Sequence, residues 1–299
     1  MGGNLWSALK QGNAAGVLAG GFPYAGSVWY VAGGSVAAPA FGRRVESLDK
    51  LFDAMTAGDI AFLGPGFYDV GNLIIPTSLS NITLIGAGNR GSAGIQSTVV
   101  GKEGLQVKAN DVTLMNIGIE VEDTADYALN LLASRPGGTG TKFGSRFRAY
   151  GCKFEGPTGP AVLLNGDANY NIGDVLFEDC EFAWCGTGIR LSSSGFGVNT
   201  QIRIQNSWFH NFTAAGLDAA VLADWVVANL CLYDNKFDQQ EDGTEPTDFI
   251  LLSNNANTGH IAGNQFAIAT NAAAKLTIGT GLMWGPNGTE AGWSTARPV

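Results

Sequence analysis

One phrase returns in this chain at a nearly constant interval, and it restricts the possible folds more than any other feature. Val175-Leu176-Phe177-Glu178-Asp179-Cys180-Glu181-Phe182 reappears 27 residues later as Ile202-Arg203-Ile204-Gln205-Asn206-Ser207-Trp208-Phe209. Each reads apolar-x-apolar-x-(Asp/Asn)-small-x-Phe. Aligned on the closing apolar residue, the series runs Ile119, Phe154, Phe182, Phe209, Phe237 and Phe266, with spacings of 35, 28, 27, 28 and 29. A period of that size marks a repeat architecture whose units bury their apolar faces only against their neighbours.

Short alternating apolar stretches fill each unit, and a second set recurs between the marks at 162–164, 188–191, 249–252 and 276–278. Strands this short, separated by turn residues, predict an all-β fold: a single-stranded parallel β-helix with one coil per repeat. Its coils stack at about 4.8 Å, and the crossover rule makes it right-handed. Equivalent residues then lie above one another. The expectation is an interior ladder of Phe154, Phe182, Phe209, Phe237 and Phe266. Two residues earlier, a ladder of small residues runs Cys152, Cys180, Ser207, Asn235 and Asn264, in which Asn235 and Asn264 bond backbone or each other at a bend. Three residues before each mark stand Asn116, Gly151, Asp179, Asn206, Asp234 and Gly263. Segments 134–142 and 239–248 read as inserted loops. The 43 glycines among 299 residues and a charged fraction of only 14% suit many tight turns and disfavour disorder.

Outside the repeat, residues 1–27 form a Gly/Ala-rich arm carrying Leu5, Trp6, Leu9 and Phe22, expected to dock on a partner or on the body of the protein. Residues 47–56 predict a short helix, with Ser47 at the N-cap and Leu48, Leu51, Phe52 and Met55 along one face. Strands are expected at 28–31, 60–63, 67–70, 73–75 and 82–85, and a loop at 32–44. The repeat is expected to fill 28–278. The tail 279–299 drops it and carries Trp284 and Trp293 as a cap or docking element.

A net charge of −9 with no Lys/Arg cluster lacks the footprint of a nucleic-acid binder, and it discourages contact with anionic membranes. No leader peptide and no membrane span are evident in the sequence. The four Cys (152, 180, 185, 231) form no C-x-x-C pair and there are two His, so neither a metal nor a cofactor is expected. The cysteines read as buried free thiols. Glu155, Asp174, Glu178, Asp179, Glu181, Asp218 and Asp224 are the candidate acids. Glu178, Glu181 and Trp208 are the candidate glycan contacts, with Trp184 and Trp225 as further aromatics. His210 stands at the repeat position of Glu155 and Asp238, whereas His260 reads as structural. Arg190 and Arg203 face outward by alternation. No column of three acids appears.

The phrases Trp29-Tyr30-Val31, Leu51-Phe52-Asp53-Ala54-Met55, Ala57-Gly58-Asp59-Ile60, Gly64-Pro65-Gly66-Phe67-Tyr68 and Asn81-Ile82-Thr83-Leu84-Ile85-Gly86-Ala87-Gly88 resemble the start of pectate-lyase-like β-helix proteins, particularly those carried by tailed bacteriophages. The resemblance implies a helix capping the N-terminal end and a first coil opened by the Gly-Asp-Ile phrase. With the Gly/Ala arm, it implies a non-enzymatic virion protein, assembled in the host cytoplasm. That protein would decorate or cement the capsid as a homotrimer docked on the major capsid protein or other virion proteins. The alternative is a tailspike-type protein that binds or cleaves host surface polysaccharide.

Overall fold

Along most coils inward apolar residues alternate with outward polar ones, and most left-handed bends fall where the sequence supplies Asn, Asp or Gly. The computed structural model describes residues 27–31, 43–88, 90–99, 101–122, 127–132, 146–166, 171–193, 199–213, 219–238, 248–267, 276–289 and 292–294. It is a right-handed parallel β-helix of about seven turns. An 11-stranded sheet runs from Arg43–Val45 through Val28–Val31, Ile60–Leu63 and each later coil to Leu282–Trp284. A 16-stranded sheet forms the rest of the wall. It wraps around the rod because Lys153–Gly166 and Glu181–Ser193 each run through a bend, pairing with different strands on either side of it.

The phenylalanine ladder forms as the period requires. Phe154, Phe182, Phe209, Phe237 and Phe266 are in direct register and fully buried, with ring centroids 5.3, 4.5, 4.9 and 4.9 Å apart in near-parallel stacks.

The bend preceding each mark has one cause. Asn116, Gly151, Asp179, Asn206, Asp234 and Gly263 all hold positive φ, between 52° and 75°. An ordinary L-residue pays about 1–2 kcal/mol there, whereas Gly, Asn and Asp adopt it readily. The next residue turns inward. Asn235 Nδ2 donates to Asn264 Oδ1 (3.0 Å) and Asn264 Nδ2 donates to Asn287 Oδ1 (2.9 Å). Each of those oxygens also accepts the backbone N–H of the preceding rung. Nearer the N-terminus the ladder continues as Ser207, Cys180 and Cys152, and both cysteines are buried free thiols. Burial pushes the Cys180 thiol well up, keeping it protonated and inert.

The helix spans Leu48–Ala54, and Leu48, Leu51, Phe52 and Met55 close the N-terminal end of the core. Ser47 occupies the N-cap position without a side-chain capping bond. Part of the expected 32–44 loop is strand instead: Arg43–Val45 pairs with Val28–Val31, which would otherwise be an open edge. Asp59 clasps this end together. Its buried carboxylate accepts from Ser27 N (2.5 Å), Trp29 Nε1 (2.8 Å) and Thr56 N (2.8 Å). Burial pushes its pKa up, but the bonds from Thr56, Trp29 and Ser27 together outweigh it and hold the carboxyl below its ordinary value. The stabilisation is therefore present above the ordinary carboxylate range and lost as pH falls through the depressed folded value. Asp59→Ala is expected to cost roughly 2–3 kcal/mol in urea unfolding by stranding those donors. The variant should also flatten the acid limb of the stability–pH curve.

At the other end the structure departs from the expected stop at 278. Leu282–Trp284 adds a strand to the shorter sheet and Asn287–Thr289 adds one to the longer, with Thr289 in register with Phe266. This turn is invisible to a pattern keyed on Phe because it closes on Thr. Trp284 is half-buried against the core, its ring near-parallel to Phe266 at 6.5 Å. Trp293 lies on Gly292–Ser294, which pairs antiparallel with Asn287–Thr289. Leu5, Trp6, Leu9 and Phe22 lie outside the described residues.

Candidate active site

The outward residues of the longer sheet form two adjacent columns along the rod. One runs Phe67, Gly94, Gly118, Lys153, Glu181, Trp208, Lys236, Gln265. The other runs Asp69, Gln96, Glu120, Glu155, Ala183, His210. Inward Ile119, Phe154, Phe182 and Phe209 sit between the columns and fix both by alternation.

Glu120 and Glu155 are direct neighbours in register on successive coils. Partial burial and the neighbouring Glu155 carboxylate push Glu120 up to about 7, against a smaller opposing pull from Lys153. Two carboxyls at this spacing cannot both ionise cheaply, so the pair holds one proton near neutrality. Lys153 binds Glu155 Oε1 at 2.5 Å. Burial alone would lower the Lys153 ammonium. The bond and charge of Glu155, with the charges of Glu181 and Glu120, outweigh it and keep the ammonium above its ordinary value.

The next coil adds a second group. Glu181 Oε1 meets His210 Nε2 at 3.1 Å and Glu181 Oε2 meets Arg90 at 3.6 Å. The His210 bond is the largest influence on Glu181 and overcomes burial, so this carboxyl stays ionised below its ordinary value. His210 is buried, with its Nδ1 unpartnered. Trp208 stacks on the His210 ring at 3.9 Å and lies 5.0 Å from Lys236 Nζ, which binds Asp238 at 2.6 Å. Just beyond Ala183, Trp184 bulges out of register, 40% exposed and with φ of 50°. A bulky residue in that region is strained, and such strain concentrates at working surfaces.

These contacts sort the residues named from sequence. Glu181 joins the cluster. Glu178 does not: the left-handed bend at Asp179 turns it onto the shorter sheet, between Tyr150 and Gln205. Trp208 faces outward, but its ring braces His210 and contacts Lys236. Asp174 holds Arg148 at 2.7 Å and Asp224 holds Arg190 at 2.7 Å. Asp218 lies outside the described residues. Trp225 is 41% exposed. His260 faces outward in register with Cys231, its Nδ1 3.2 Å from Tyr233 Oη. Arg203, with Arg148, Asp174, Gln201, Asn229 and Cys231, lines a separate groove of about 370 Å³ on the shorter sheet. Glu120 and Lys153 were missed, although the repeat alignment places Glu120 after Ile119 as Glu155 follows Phe154. Among the described residues, no three acids stand on consecutive rungs of either column, as expected, but the adjacent pair of Glu120 and Glu155 was not expected.

No protein-family model matches the chain, and no curated protein is significantly similar to it in sequence. Among solved structures, the pectin methylesterase from carrot aligns with a TM-score of 0.55 at 11% identity, covering 88% of this chain and 82% of its own. The pectin methylesterase from Aspergillus niger aligns at 0.47 and 14% identity, covering 89% and 83%. That from Yersinia enterocolitica aligns at 0.43 and 14% identity, covering 82% and 79%. The carrot match shows the shared pectate-lyase-like β-helix fold. It also corrects the reading of the chain as a non-enzymatic virion protein. The fold partner is an enzyme, and nothing found connects the chain to a capsid or a phage.

Proposed function

We propose that this protein is a polysaccharide-acting enzyme that hydrolyses an ester carried by a saccharide chain, with Glu120, Glu155 and Lys153 at its centre. The observation that carries the reading is the register pairing of Glu120 with Glu155 on successive coils, with Lys153 bound to Glu155. Two carboxyls on neighbouring coils can reach one ester group together, one as base and one as acid. Glu155, held by Lys153, activates water for attack on the ester carbon. Glu120, protonated up to about 7, gives its proton to the departing alcohol. Lys153 remains cationic and stabilises the developing oxyanion. The pectin acted on by the fold's solved relatives is the first substrate to try.

The test is product analysis on methyl-esterified pectin and acetylated polysaccharides. Released alcohol or acid without new reducing ends supports the ester reading. New reducing ends or unsaturated sugar ends would replace it with hydrolase or lyase chemistry.

A further inference from the structure

The same face carries an aromatic ring in an unusual place. Phe67 is 42% exposed, and an edge of its ring lies against the next coil. A Cβ built on Gly94 would stand 2.4 Å from Phe67 Cε1, and one on Gly118 would stand 3.6 Å from the same atom. Gly94 and Gly118 follow Phe67 in its column, so the ring lies over side-chain-free backbone and reaches toward the coil of Glu120. Beside it, in the other column, are Asp69, Gln96 and Glu120. A coil rise of about 4.8 Å puts the ring's leading edge within roughly one pyranose of the Glu120–Glu155 pair. A large apolar side chain left this exposed costs the protein burial without serving its core.

We infer that the outer face of Phe67 is a saccharide subsite, a stacking platform for one pyranose ring next to the bond acted on at Glu120–Glu155. The inference rests on the polysaccharide reading above and deepens it. The Asp69 carboxylate borders the platform, so it takes an uncharged ring, neutral or esterified, in preference to a free uronate. Stacking against an aromatic face supplies orientation: a ring seated there presents its substituents sideways, toward the acid pair.

The experiment uses the full chain and two probes, a methyl-esterified oligogalacturonide and its de-esterified form, with binding measured by calorimetry on Glu155→Gln to prevent turnover. In that background, Phe67→Leu keeps the glycines covered but removes the flat ring, and Phe67→Tyr keeps the ring. About a tenfold loss of affinity for the esterified probe with Phe67→Leu is expected, with Phe67→Tyr close to the parent and weaker binding of the de-esterified probe throughout. In otherwise unaltered protein, Phe67→Leu should raise KM more than it lowers kcat. Equal affinity in the Leu and Tyr variants would overturn the platform and leave the polysaccharide reading standing. No binding of either probe by the parent would overturn both. Matching thermal unfolding of the variants establishes that any loss is local.

Discussion

Replacing Glu155 by Gln is expected to lower turnover of an esterified polysaccharide by at least about a hundredfold, the scale typical of losing a positioned acid or base. The reason lies in the pair. The substituted amide presents no anion to activate water, and it removes the negative charge that helps hold the Glu120 proton. Glu120→Gln should cause a similar loss by a different route, and the two are distinguishable by pH. In the parent protein the rate should fall as pH rises through about 7, where Glu120 releases its proton. A Glu120→Gln variant with residual activity should lose that alkaline limb. Both replacements preserve volume at half-buried surface positions, so thermal unfolding should change little. Activity of Glu155→Gln within threefold of the parent would remove the pair from the mechanism.

The largest effect on stability should come from Phe209→Ala. Phe209 is the middle rung of the aromatic ladder, fully buried, stacked on Phe182 at 4.5 Å and on Phe237 at 4.9 Å. Removing such a ring costs about 3–5 kcal/mol, combining lost transfer energy with the cavity left behind. Relaxation is restricted here because the backbone on both sides is tied in register to neighbouring coils. The loss also interrupts a one-dimensional stack, so the coils on the two sides should unfold less cooperatively. Denaturant unfolding with lowered midpoint and a broadened transition is the expected result. A loss below about 1 kcal/mol would mean the rung collapses onto its neighbours.

Much of the fold was legible because a solenoid repeats its physics. Phe154 through Phe266 announced the core, and Asn116 through Gly263 announced the bends, since only a few residue types accept the left-handed backbone there. The pattern failed where a coil satisfied the same geometry with other residues. Arg146, Gln201 and Trp184 also hold positive φ, which nothing in their chemistry advertises. The final turn closes on Thr289 and escaped notice.

The site was harder to read for a different reason. Glu178 and Glu181 are three residues apart but part company at Asp179. Glu120 and Glu155 are 35 residues apart and stand side by side in register, because an insertion between the coils lengthens the sequence interval without moving the register. Outward chemistry on a β-helix is legible only after the alignment is exact to one residue, since a slip of one exchanges the buried and exposed sets.

The strand Gly292–Ser294 has a bearing on how such a molecule ends. A parallel stack has no inherent length: each coil offers the next an identical template, and two copies meeting end to end could polymerise. By running against Asn287–Thr289, this strand gives an incoming coil a partner of reversed polarity on the longer sheet. Asn287 is the last asparagine of the amide chain, so polymer growth on that wall would have to begin without one. Among the described residues, the longer sheet thus closes on an antiparallel strand in place of a further parallel coil.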